Sequence, residues 1–148
     1  MRSMRSLRGM RVVCEGRGIG RVVMICLSGD LKRLDGIWID AGLKGVRFIE
    51  AERISVIGRR AVIADDAGER VRIKPHTLFV RAVSTAGRRL GAITDAQIDE
   101  VTLSVANLVL SLGYWEDFTR GEIPVSEYLY DHDNRRVVIP EALIDSEV

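Results

Sequence analysis

Apolar residues along this chain come in short runs closed by turn residues, and helical spacing is largely absent. "RVVMICL" from Arg21, "GIWIDA" from Gly36 and "RRAVIA" from Arg59 are β-branched and aliphatic, the composition of half-buried or buried strands. Between them lie turn signals. "DDAG" at 65–68 predicts a hairpin turn between "AVIA" and "ERVRI", and "DHDN" at 131–134 predicts another before "RRVVI". Gly20 and Gly91 stand where strands begin, a position at which glycine permits a bulge, a positive φ or close backbone approach. "KPHT" at 74–77 reads as a linker, because Pro75 removes a ladder donor and turns Lys74 away from helix. Only the tail "PEALIDSEV" reads as helical, with Pro140 at its entry and Glu141 suiting the positive end of the dipole.

The pattern is written twice. Sliding the chain by 71 positions places Val12 on Val83, Gly16 on Gly87, Gly20 on Gly91, Ile37 on Leu108 and Ile39 on Leu110. The offset then grows to 74, matching "IEAERI" from Ile49 to "IPVSEY" from Ile123, and to 76, matching "GRRAVIAD" from Gly58 to "NRRVVIPE" from Asn134. Growth of the offset means insertion in the second copy, mostly at "SLGYWEDFTRG". A repeat defines the folding unit, so two small β-modules are expected.

Composition narrows the class. With 47% hydrophobic and 29% charged residues among 148, the chain has material for a packed core. No apolar run reaches the roughly 18 to 20 residues a membrane helix needs, and no secretory h-region follows the Arg-rich start, so a cytoplasmic protein is expected. Cys14 and Cys26 form neither a disulfide framework nor a zinc signature and read as buried or half-buried thiols. The net charge of +1 conceals polarity, since residues 95–148 hold twelve acids against Arg120, Arg135 and Arg136.

Candidate chemistry is sparse. "GRGIG" from Gly16 lacks the following helix that a dinucleotide loop requires. His76 and His132 sit in a linker and a turn, with no nucleophile pattern around them, so no catalytic residue and no cofactor is expected. Asp131, His132, Asp133 and Asn134 are possible cation donors, but without calcium-loop spacing they read as turn formers, and no metal is expected. Two interaction surfaces stand out. Tyr114, Trp115 and Phe118 cluster in the second-copy insertion and, with Tyr128 and Tyr130, supply five of the eight aromatics; large rings on a loop suit a protein-binding hot spot, or fold back over the barrel end. Arg11, Arg17 and Arg21, in the run that includes Arg2, Arg5 and Arg8, suit phosphate contact; the plainer reading is a frayed, solvated tail followed by strand residues facing water. Trp38 reads as core or as a contact between modules.

Each copy resembles a PRC-barrel domain, the small β-barrel of the photosynthetic reaction-centre H subunit and of a ribosomal small-subunit maturation factor. The resemblance rests on "GRGIG" and "GRRLG", the apolar strands "DGIWIDA" and "ANLVLSL", the segments "IEAERI" and "IPVSEY", and the closing "RRxVI" strands. Copy one departs at Glu50, where copy two has Pro124. The resemblance implies an all-β fold of two tandem, small, SH3-like barrels with a short C-terminal helix. The first would span 1–73 with an Arg-rich tail at 1–6, and the second 78–148 with an aromatic loop at 112–121. Barrels this small bury only about 60% of their unfolded surface, a physical reason for doubling. Such barrels work by docking, so the resemblance implies a non-enzymatic adaptor that contacts a protein partner or a second copy of itself. An RNA- or ribosome-associated role using the basic first half is the alternative.

Overall fold

The computed structural model describes residues 1–71, 77–112 and 122–143. The fold is all-β, with two curled, half-barrel sheets and little helix. The chain divides into two compact units: unit 1 is Met1–His76 with Ile98–Val105, and unit 2 is Thr77–Gln97 with Ala106–Val148. The segment Ile98–Val105, which the repeat assigns to the second copy, thus clusters with unit 1. There Leu103 O accepts from Leu34 N at 2.8 Å and Val105 N donates to Lys32 O at 2.8 Å.

Unit 1 begins with β1 (Arg2–Ser3) and the single-turn helix α1 (Met4–Leu7), followed by β2 (Arg11–Cys14), β3 (Arg17–Leu27) and β4 (Leu34–Asp40). Then come β5 (Val46–Glu50), β6 (Ile54–Ile57), β7 (Ala61–Ala64) and β8 (Glu69–Arg70). The hydrogen-bonded order is β6-β7-β2-β3-β4-β5-β8, with β2 and β7 parallel and every other neighbour antiparallel. Unit 2 contains β9 (Val80–Ser84), β10 (Arg89–Ile98), β11 (Val105–Ser111), β12 (Glu122–Val125), β13 (Leu129–Asp131) and β14 (Arg136–Ile139), in the order β12-β11-β10-β9-β14-β13. The long strands β3 and β10 carry register shifts beside Ile19 and Leu90, and such bulges bend a strand enough to curl its sheet.

The registers show the duplication directly and adjust its alignment. Val12 lies opposite Gly20 and Val62, and Ala82 lies opposite Gly91 and Val137. Val12 therefore corresponds to Ala82 rather than Val83. The first hairpin of the second copy has one more residue in its turn, where Ser84 N donates to Arg88 O. Ile37 faces Ile49 and Leu108 faces Val125, so Ile49 corresponds to Val125 and not to Ile123. By the same register Pro124 stands where Phe48 does, on an edge strand that tolerates a missing donor. The later growth of the offset enters at one place, the connection 112–121. Fully buried aliphatics occupy equivalent positions in both cores: Ile39 and Leu110, Val62 and Val137, and Ile37 with Leu108. Trp38 is buried and packs at 5.6 Å on Phe48, whose ring fills the space a Cβ at Gly36 would need.

Three sequence expectations are corrected. The N-terminal segment, tail 1–6 included, is folded onto unit 1 and not frayed: Met4, Leu7 and Met10 are buried, Ser3 caps α1 by accepting from Ser6 N, and Arg2 Nη1 donates to Gly58 O at 2.9 Å. "DDAG" is not a hairpin turn between β7 and β8, because β7 pairs with β6 and β2 while β8 pairs with β5. The chain is drawn toward β5 by Arg47, whose guanidinium donates to the carbonyls of Ala67 and Gly68. Third, the two copies align with Val12 on Ala82 and Ile49 on Val125, not with Val12 on Val83 and Ile49 on Ile123. "DHDN" does join antiparallel β13 and β14. Residues 141–143 are helical after Pro140, and the remaining tail, 144–148, lies outside the described residues, as do 72–76 of the linker region.

Candidate functional site

Tyr114, Trp115 and Phe118 lie outside the described residues, so the candidate site is built from the strands. In unit 1 the residues of β2 and β7 alternate, sending Val12, Val62 and Ala64 inward and Arg11, Val13 and Ile63 outward. Partners directly opposite one another share a face. Two rows follow. One is aliphatic: Val56 faces Ile63, Ile63 faces Val13, and Val13 faces Gly18. Val56 is 53% exposed and Ile63 38%, so the row lies open to solvent. The second row is cationic, with Arg11 directly opposite Arg21 and both exposed.

The cationic pair is built by its backbone. Arg11 Nη2 lies 3.4 Å from where a Cβ at Gly18 would stand, so the guanidinium reaches across to Gly18, at the end of the aliphatic row. Arg21 Nη1 donates to Gly9 O at 2.9 Å, which fixes its direction, and on its other side Arg21 stands directly opposite the exposed Asp40 across β3 and β4. Neither arginine forms an ion pair among the described residues. The carboxylate opposite Arg21, Asp40, accepts from the Gly42 amide at 2.9 Å. Like charges directly opposite one another weaken a ladder, so the juxtaposition favours an anionic group above it. Unit 1 as a whole holds sixteen Lys and Arg against eleven Asp and Glu. Arg17 is not part of the pair. It stands opposite Cys14, and the bulge at Ile19 puts it on the other face.

The remaining candidates are structural. Burial pushes the Cys26 thiol up, with Asp35 adding to it. Partial burial does the same to Cys14, with Glu15, Asp66 and Asp65 adding. Both cysteines are free and half-buried, and a raised thiol is a poor nucleophile near neutrality. His132 packs edge-on against Tyr130 at 4.7 Å. Asp131 Oδ1 accepts from the Asp133 and Asn134 amides, and its Oδ2 accepts from Asn134 Nδ2 and Arg136 Nε. "DHDN" is thus a self-capped turn. Among the described residues no group of three His, Cys, Asp or Glu is placed to hold a metal ion, and no helix is long and apolar enough to cross a membrane. No protein-family model and no curated protein matches the chain.

Three carboxylates at turns, Asp30 exposed and Asp99 and Asp131 half-buried, are held below the usual carboxylate range. Asp30 is lowered first by the Ser28 hydroxyl, Asp99 by the Thr102 amide and Asp131 by the Asn134 side chain. A depressed folded-state pKa gives stability that is present above the unfolded value, near about 3.9, and is lost as pH falls through the folded one. Urea midpoints are therefore expected to hold steady from neutrality to about pH 5 and to drop below about pH 4. A variant carrying Asp30→Asn, Asp99→Asn and Asp131→Asn should lose part of that acid drop. An unchanged acid limb would refute the assignment.

Proposed function

We propose that this chain is a non-enzymatic, cytoplasmic docking module of the PRC-barrel type, and that it holds a protein partner through the outer face of unit 1. The observation that carries this reading is the aliphatic row Val56, Ile63 and Val13 beside the Arg11 and Arg21 pair. Aliphatic surface kept in water is what an interface covers, and arginines at its border that form no ion pair select acidic groups and steer their approach. A segment alternating carboxylates with aliphatic side chains satisfies both rows. Nucleic acid is the weaker fit, because phosphates reward several spread cations, Arg17 is turned to the other face, and the aliphatic row would stay uncovered.

The test is fluorescence anisotropy with a labelled twelve-residue peptide alternating Glu and Val, beside a single-stranded RNA of similar length. Binding of the peptide should fall at least tenfold in Arg11→Glu and in Ile63→Glu, with the far-UV circular dichroism spectrum unchanged. Tighter binding of RNA than of peptide, or a peptide indifferent to both substitutions, would remove the proposal.

A further inference from the structure

The face described in unit 1 recurs in unit 2. Leu129 faces Val138 as Val56 faces Ile63, and Val138 stands beside Val83 as Ile63 stands beside Val13. Leu129 is 68% exposed and Val138 half-buried, so an aliphatic pair again lies open at the edge of the curl. The cationic row recurs as well, one strand over: Arg81 and Arg136 are direct partners across parallel β9 and β14, both on the outer face. Different side chains build the two copies, Val and Ile in one and Leu and Val in the other. What the duplication keeps is therefore the chemistry of the face and not its residues.

The copies differ in one respect. Asp40 stands opposite Arg21, but neither Arg11 nor Arg21 forms an ion pair among the described residues, whereas Arg136 Nε meets Asp131 Oδ2 at 3.3 Å. That carboxylate is fixed by the turn amides of Asp133 and Asn134, and so stays beside Arg136. It competes with an incoming acid for the second arginine row.

We infer that the chain is bivalent, carrying two docking faces for acidic, aliphatic protein segments, a tight one on unit 1 and a weaker one on unit 2 that Asp131 holds partly self-occupied. The inference rests on the docking reading above and adds its valence and its rank order. One such chain can therefore bridge two partner segments.

Isothermal titration of the full chain with the Glu and Val peptide tests it. Two peptides per chain are expected, in two steps of unequal affinity. Ile63→Glu or Arg11→Glu should remove the tight step, and Val138→Glu or Arg81→Glu the weak one, each by at least tenfold; the arginine variants serve where a charge in the aliphatic row unfolds its unit. Asp131→Asn, which keeps an acceptor oxygen for the turn, should tighten the second step severalfold. Saturation at one peptide, abolished by Ile63→Glu, would overturn bivalency and leave the docking reading intact. No binding of the peptide at all would overturn both, and so would self-association of the chain by light scattering with no peptide uptake.

Discussion

Gly91→Ala is expected to unfold unit 2. A Cβ at this position would lie 1.9 Å from the carbonyl oxygen of Ser111, and the residue adopts φ +142°. The obstacle is backbone at the end of β11, which cannot swing aside as a long side chain would. Its counterpart Gly20 has the same problem, with Asp40 O 2.4 Å from the added atom. Displacing a ladder and forcing the dihedral together cost on the order of 3 kcal/mol or more. That is a large share of what a module of this size has to spare. Gly87→Ala is the control: its φ is +83° but nothing lies within 4 Å of the new methyl, so roughly 1 to 2 kcal/mol of dihedral strain is the whole effect. Thermal melts followed by far-UV circular dichroism separate the cases. Equal losses for Gly91→Ala and Gly87→Ala would show that the close approach is not there.

The second large effect is expected at Ile39 and Leu110, which hold equivalent places in the two cores and are each 0% exposed. Truncation of either to alanine should cost about 3 kcal/mol, within the roughly 2 to 5 kcal/mol seen when a buried aliphatic leaves a cavity. Hydrogen exchange tells where the loss falls. Ile39→Ala should loosen amides of β2 to β7 first, and Leu110→Ala those of β9 to β14. Uniform loss of protection in both variants would mean that the chain has one cooperative core instead of two.

How much of this could be read from residues alone depends on what each signal encodes. Paired glycines were legible because only glycine tolerates the approach seen at Gly20 and Gly91, so the duplication showed even where the aliphatics had changed. The alignment was less legible. "IEAERI" and "IPVSEY" look alike, yet strand register follows burial, and burial pairs Ile49 with Leu108's partner Val125. Local resemblance of letters lost to the period of the sheet. The N-terminal segment misled for a related reason: three apolar residues among arginines read as a tail, until α1 places Met4 and Leu7 on one side, against the unit.

The candidate site was half legible. Arg11 and Arg21 were visible as charges, but only the bulge at Ile19 decides that they stand together while Arg17 does not. Val56 and Ile63 look like core in the sequence, because exposure of a strand residue is set by its neighbours and not by its own type. The signal that could have found them is alternation: Val62 and Ala64 point inward, so Ile63 between them must point out. The self-bonding turn of "DHDN" is legible in its Asp and Asn, while its acid's place beside Arg136 follows only from the β13 to β14 register.

The central claim is that the arginine-flanked aliphatic face binds an acidic partner segment. Titrating isotopically labelled chain with the Glu and Val peptide, and mapping the shifted amide resonances, tests it most directly. The account expects the earliest and largest shifts at Arg11, Val13, Arg21, Val56 and Ile63. Shifts confined to residues 113–121, with those five unmoved, would contradict it.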